Sequence, residues 1–279
     1  MLIMKIYVQK MKVLILISIM TILVGSVPSV TYPSDASPQN KTFNQPDGIR
    51  GLVTNMPNIV LVHGAWADGS SWGKVINVLK NSGLNVLAVQ LPLHSLSDDV
   101  ATVKRAVEHI GGPVILVGHS YGGFVITNAG YNNSNVTGLV YIAAFAPDEG
   151  KSISDFVDVT KWPKDFLVVD KAGMAYINPT HFLQYFAQDV NKDEGNVMVS
   201  AQKPFNQSIF VEKSGAPAWK NLPAWYQISD SDRMIPPDVQ RQFARQMNAS
   251  TISVNASHVS YVSHPDEIAK FIIEATGRK

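Results

Sequence analysis

Residues 113–123 read PVILVGHSYGG, and the reading of this stretch decides the fold. Pro113, Val114, Ile115, Leu116 and Val117 form the short, unbroken apolar run expected of a strand buried on both faces. The run leads directly into Gly118, His119, Ser120, Tyr121 and Gly122, and residues 123–129 then carry a helical pattern. A G-x-S-x-G between a strand and a helix requires a turn so tight that small residues must flank the serine. Such a turn pushes the hydroxyl out at the C-terminal edge of a sheet. The helix that follows adds positive potential and free N–H groups beside it. The bare pentapeptide is a weak signal. The strand before it and the helix after it make Ser120 a candidate nucleophile rather than a structural glycine turn.

Working outward, further β-rich runs bounded by Gly, Pro, Asn or Ser occur at 58–62, 84–90, 136–143, 222–228 and 251–254. Between them lie helical spacings. Val100, Val103, Val107 and Ile110 share one face, with Ser97 placed to cap and two aspartates in the first turn. His264 and Pro265 open a last helix whose Ile268, Phe271 and Ile272 share a face. Alternating strands and helices imply an α/β domain with a mainly parallel, doubly wound sheet over residues 58–279. The stretch 147–219 breaks the pattern, holding Phe156, Trp162, Phe166, Phe182, Tyr185, Phe186, Phe205 and Trp219 among polar residues. It reads as a mostly helical cap inserted over the strand ends, or alternatively as two crossover helices with long loops.

A serine hydroxyl is a poor nucleophile at neutral pH, so a base must lie within hydrogen-bond reach, itself oriented by a carboxylate. On a sheet of this kind the chain order is Ser, Asp or Glu, His. After the run 222–228 come Ser229, Asp230, Ser231 and Asp232; after the run 251–254 comes His258. Both fall in loops at strand C-termini, the edge where Ser120 emerges. His258 is the expected base. Asp232 is the preferred acid because it lies further past its strand and leads into a helix start at Pro236 or Pro237, with Asp230 as the alternative. A tetrahedral oxyanion needs two N–H donors. Tyr121 supplies one, and the loop of His63, Gly64, Ala65 and Trp66 supplies the other, Ala65 being the expected donor. His63 is then expected to brace that loop, with His119 as a flank of the turn.

Composition limits the remaining possibilities. The 279 residues are 46% hydrophobic and 16% charged, with 23 basic and 22 acidic side chains and a net charge of +1. A sizeable core is affordable, and nothing favours a nucleic-acid partner. Cysteine is absent, which removes disulfides, thiolate zinc sites and a cysteine nucleophile. There is no H-E-x-x-H, phosphate-loop or dinucleotide fingerprint, and His94, His109, His181 and His264 have no ligand spacing, so neither metal nor cofactor is expected. At the N-terminus Lys5, Lys10 and Lys12 precede an apolar run at 13–24, followed by Gly25, Ser26 and Pro28. This reads as an export signal over 1–28. The run is short for a membrane span, so no stable span is expected once the signal is removed. Residues 29–57, rich in Pro, Ser, Asn, Thr and Gln, read as a flexible linker. A secreted or periplasmic location follows as an expectation.

With those residues in view, the chain resembles the α/β-hydrolase superfamily from residue 58 to the C-terminus. HGAW at 63–66, Trp72, GHSYGG at 118–123, DRMIP at 232–236 and SHVSYVSHP at 257–265 are similar to the small serine-esterase branch that includes plant methyl-ester esterases and hydroxynitrile lyases. The resemblance implies an eight-stranded type of core, here trimmed at its N-terminal edge, a helical cap, and a triad of Ser120, Asp232 and His258. It also implies hydrolysis of small or aromatic carboxylic esters without a cofactor. The lyases of this branch carry lysine directly after the catalytic histidine, where this chain has Val259. Trp66, Trp162, Phe182, Tyr185, Phe186 and Trp219 suit an apolar pocket, although ordinary core packing is the commoner fate of an aromatic. Perhydrolase, haloperoxidase-like or lyase chemistry, or a slow-turnover ligand-binding receptor, are the alternatives on the same fold.

Overall fold

Strand β1 (Asn58–Val62) lies second from one edge of the main sheet, flanked by β2 (Val86–Ala88) and β3 (Val114–His119). The structure, a computed structural model, describes residues 57–278. The leader expected at 1–28 and the linker expected at 29–57 lie outside the described residues, Pro57 apart. The sheet continues through β4 (Val136–Ile142), β8 (Ala224–Ser229) and β9 (Ser250–Val254), giving six strands in the order β2-β1-β3-β4-β8-β9, every pair parallel. All six runs expected from sequence are strands; the central ones, covered on both faces, are continuously apolar, whereas the edge strand β9 is mostly exposed. β3 has no exposed residue.

Chain direction places the helices. The step from β1 to β2 through α1 (Gly73–Asn81) runs opposite to the steps from β2 to β3 through α2 (Leu96–Ile110) and from β3 to β4 through α3 (Tyr121–Ala129). Right-handed crossovers therefore put α1 on one face and α2 and α3 on the other. Accordingly α2 packs against α3, and α1 packs against the last helix, α8 (Pro265–Ala275). The reversal of winding opens a crevice between the C-terminal ends of β1 and β3, where open α/β sheets bind ligands. Ser95 rather than Ser97 caps α2: Ser95 has extended backbone and its side chain accepts the Asp98 N–H, while Ser97 lies inside the first turn.

The segment between β4 and β8 is not mostly helical. It holds an antiparallel sheet of β5 (Leu167–Val169), β6 (Met174–Ile177) and β7 (Phe205–Asn206), with helices α4 (Pro179–Tyr185) and α5 (Lys192–Ser200) and several short 3₁₀ turns. These strands are two to four residues long, and Val168 and Val169 are exposed, so no alternation marks them. The available signal was the turn between them. The Asp170 carboxylate accepts the N–H groups of Ala172 and Met174, and Gly173 has a φ of 81°. The remaining helices are α6 (Pro237–Gln246), packed on β8, and the single turn α7 (Ser260–Ser263). Among the described residues no helix is long and apolar enough to cross a membrane.

Candidate active site

The turn after β3 places Ser120 at a φ of 53° and a ψ of −122°, a conformation that costs about 1–3 kcal/mol and persists only where its surroundings impose it. Those surroundings are visible. The Ser120 carbonyl accepts the N–H groups of Gly123 and Phe145, both at 3.0 Å, and its own N–H donates to Ile142 at 3.2 Å. A Cβ at Gly122 would lie 2.4 Å from the Val62 carbonyl oxygen, so the elbow and the end of β1 approach as closely as backbone allows. A Cβ at Gly64 would lie 2.8 Å from that of Ser120, which puts the loop after β1 directly against the serine.

The loops after β8 and β9 complete the constellation. Ser120 Oγ lies 2.8 Å from His258 Nε2, and His258 Nδ1 lies 2.8 Å from Asp232 Oδ2. An ionised carboxylate only accepts, so Nδ1 carries the proton and Nε2 is free to accept the serine hydroxyl. Asp232 is buried and fully engaged. Oδ1 accepts the N–H groups of Met234 and Ile235, and Oδ2 also accepts the Gln240 amide. Asp230 faces outward and pairs with Arg241 at 2.5 Å. His119 donates from Nε2 to the His258 carbonyl at 2.9 Å, its ring 4.7 Å from that of His258. Burial and the neighbouring His258 hold His119 well below the usual histidine range, so it stays neutral.

His63 braces the other side. The Leu91 N–H donates to its Nε2 at 3.0 Å, so Nδ1 carries the hydrogen and donates to the Gly64 carbonyl at 2.8 Å. Burial lowers its pKa to about 4, and the ring stays neutral near pH 7. The loop it supports carries Ala65, whose N–H, like that of Tyr121, has no acceptor among the described residues. Two buried free donors beside an activated hydroxyl are what a developing oxyanion requires.

A cavity of about 30 Å³ opens onto Ser120 and His258, lined by Ala65, Tyr121 and otherwise apolar side chains. Of the six aromatics expected there, Trp66 and Trp162 line it. Phe186 lies beside it, its ring 5.1 Å from His258. Phe182 packs behind Phe186 at 4.9 Å, and Tyr185 packs on Phe166 at 5.2 Å, both within the insertion's own core. Trp219 is elsewhere: it sits in the 3₁₀ turn leading back to β8, a turn that packs against α3. Sequence reading missed Phe145, Ile153, Val157, Phe205, Phe210, Met234 and Ile235 as lining residues. Phe145, just past β4, and Met234 and Ile235, just past the acid, sit where strand ends meet the crevice; that position was the readable signal. Ile153, Val157 and Phe210 come from the insertion and carried none. No three His, Asp or Glu side chains gather as a metal site among the described residues.

Known proteins share this arrangement of sequence and fold. The model of the alpha/beta hydrolase family matches residues 59–271. The probable hydrolase R7 of Phoma sp. is 24% identical over 242 residues, 79% of this chain and 98% of the relative. The putative chloroplastic methylesterase 14 of Arabidopsis thaliana is 24% identical over 261 residues, 82% of this chain and 74% of the relative. The crystal structure of a pyrethroid hydrolase from Sphingobium faniae superposes with a TM-score of 0.69 at 22% identity, covering 79% of this chain and 97% of that one.

Proposed function

Because the chain belongs to the alpha/beta hydrolase family, we propose that it is a carboxylic ester hydrolase acting through an acyl-enzyme on Ser120. The observation that carries the reading is the continuous hydrogen-bonded line from Ser120 Oγ through the His258 ring to Asp232, 2.8 Å at each step. Ser120 Oγ attacks the ester carbonyl carbon as its proton passes to His258 Nε2. The carbonyl oxygen, now negative, is received by the Ala65 and Tyr121 N–H groups. The bond to the alcohol breaks as Nε2 returns the proton to the leaving oxygen. Water then repeats the sequence on the acyl group and frees Ser120. Asp232 holds the tautomer and balances the imidazolium. The apolar, uncharged lining supports neutral esters, and the cavity of about 30 Å³ beside Ser120 supports a small acyl group, an aromatic one requiring the lining side chains to move.

A fluorophosphonate probe tests this directly. It is expected to label folded wild-type protein at Ser120 and to leave Ser120→Ala unlabelled, with turnover of 4-nitrophenyl acetate lost in parallel. Folded wild-type protein that takes no label would falsify the nucleophile assignment. Labelling with negligible turnover across a panel of esters would favour a ligand-binding role instead. The lysine-flanked apolar run at 13–24 supports an exported enzyme. On expression of the full chain in a bacterium, the protein is expected outside the cytoplasm with its N-terminus near residue 28. Intact cytoplasmic protein that keeps the apolar run at 13–24 would refute export.

A further inference from the structure

Two aspartates open α2, and they have opposite fates. Asp98 faces solvent, while Asp99 is completely buried. A buried carboxylate persists only where its oxygens are satisfied, and the two donors that satisfy Asp99 both lead to the site. Tyr121 donates its hydroxyl to Oδ2 at 2.7 Å, and the Leu93 N–H donates to Oδ1 at 2.8 Å. Tyr121 follows the nucleophile, offers its free N–H at the oxyanion position and is one of the cavity's lining residues, and its ring packs 5.1 Å from Phe205 of the insertion. Leu93 has a left-handed φ of 63°, strained for a residue with a side chain. Its carbonyl accepts the Asn206 N–H of β7 at 3.0 Å. Two residues earlier, Leu91 donates to His63 and accepts from the Lys203 ammonium of the insertion. One loop thus touches the oxyanion strand-end, the elbow and the insertion, and Asp99 fastens it to the Tyr121 ring.

We propose that Asp99 is a positioning residue for the oxyanion hole: by anchoring the Tyr121 hydroxyl it fixes the residue whose N–H receives the oxyanion, and through Leu93 it ties that donor to the insertion above the cavity. This rests on the reading of Ser120 as nucleophile. The elbow holds residue 121 at its backbone and Asp99 holds it at the far end of its ring, so the N–H cannot swing without breaking one of the two.

The charge on Asp99 makes this role separable from packing. Burial, helped by Asp98, raises the carboxyl to about 6 against the hydrogen bonds from Tyr121 and Leu93 and the charge of Lys203 of the insertion, all of which favour the ionised form. Tyr121, faced by Asp99, Asp98 and Glu212 and buried, is pushed well above 10 and remains a donor throughout. The folded state therefore binds the Asp99 proton more tightly than the unfolded chain. Its contribution to stability is present below pH ~4 and is lost as pH rises through about 6, so at pH 8 the ionised group weighs against the fold. Asparagine removes that charge. It keeps an acceptor for Leu93, and its NH₂ can donate to the tyrosine hydroxyl, which accepts as well as donates, so the exchange removes the charge and keeps the anchor.

The test compares Asp99→Ala, Tyr121→Phe and the double variant in the full chain at pH 8, with 4-nitrophenyl acetate as probe and Asp99→Asn as the conservative variant that keeps the anchor. Asp99→Ala and Tyr121→Phe are each expected to lower kcat about tenfold with KM within about twofold. The double should match Tyr121→Phe alone, because both changes remove one anchor. Asp99→Asn should restore most of the kcat lost in Asp99→Ala, with a Tm equal to or above that of wild type. A wild-type kcat in Asp99→Ala or Tyr121→Phe, losses that multiply in the double, or no recovery in Asp99→Asn would overturn the proposal. If Asp99→Ala does not fold, Tyr121→Phe against Asp99→Asn decides. Absence of label and turnover in wild type would instead remove the nucleophile reading, which a normal wild type with unaffected variants leaves standing.

Discussion

Replacing Asp232 by asparagine is expected to lower kcat for 4-nitrophenyl acetate by about 10⁴-fold with the fold intact. The same exchange at Asp230 should change it by less than about twofold. The asymmetry follows from what each carboxylate meets. Asp232 Oδ1 is held by the Met234 and Ile235 N–H groups, which fixes the plane of the carboxylate and leaves Oδ2 for His258 and Gln240. An asparagine keeping the first pair must turn its NH₂ toward His258 Nδ1. The imidazole then accepts at Nδ1, so its hydrogen moves to Nε2 and points at Ser120, and the base no longer accepts the serine proton. Asp230 lies at the surface and meets only Arg241, an exposed pair worth about 0–1 kcal/mol. Steady-state kinetics on both variants, with a thermal melt to show equal folding, decides the matter. A large loss confined to Asp230→Asn would reverse the assignment.

That Asp232 was readable ahead of any coordinates has a physical reason. Parallel strands covered on both sides are short apolar runs that end abruptly, so the C-terminal end of each can be placed to within a residue or two. Ser120 and Asp232 follow such ends within a few residues, and the central strands of the main sheet were legible on the same ground. His258 follows the exposed edge strand β9, which is marked instead by its β-branched Thr251, Ile252 and Val254. The cap of α2 was not, because Ser95 and Ser97 have the same chemistry, and only backbone conformation distinguishes the residue before a helix from one inside it.

The insertion shows where this kind of reading stops. β5, β6 and β7 rest on one another and on loops, with Val168 and Val169 turned to solvent, so hydrophobic period carries no information there. Its aromatics are similar as residues and differ only in placement. Trp162 reaches the cavity, Phe182 packs one layer behind it, and Trp219 belongs to a turn packed on α3. Asp99 is the converse case. In the sequence it is one of two acidic residues suited to a helix N-terminus, and only tertiary packing separates the buried one from its exposed neighbour.

Substitution of Gly122 by alanine is expected to destabilise the fold by about 3 kcal/mol, lowering Tm by roughly 6–12 °C. In the protein that still folds it should lower kcat by about 10²-fold. The added Cβ would stand 2.4 Å from the Val62 carbonyl oxygen and 2.7 Å from that of His63. Both are backbone atoms, so no side chain can rotate to make room. Relief requires the first turn of α3 to move away from the end of β1. Those two segments carry Ser120 and Tyr121 on one side and the Ala65 loop on the other, so any displacement that accommodates the methyl group also separates the nucleophile from one oxyanion donor. Gly73→Ala is the control: nothing lies within 4 Å of its added Cβ, and alanine favours the helix that starts there, so Tm should hold or rise by a degree or two. Thermal melts and steady-state kinetics on the two variants measure both effects. Gly122→Ala protein with wild-type Tm and kcat would mean that the elbow stands further from β1 than this geometry requires, and the pairing of oxyanion loop and nucleophile would have to be drawn differently.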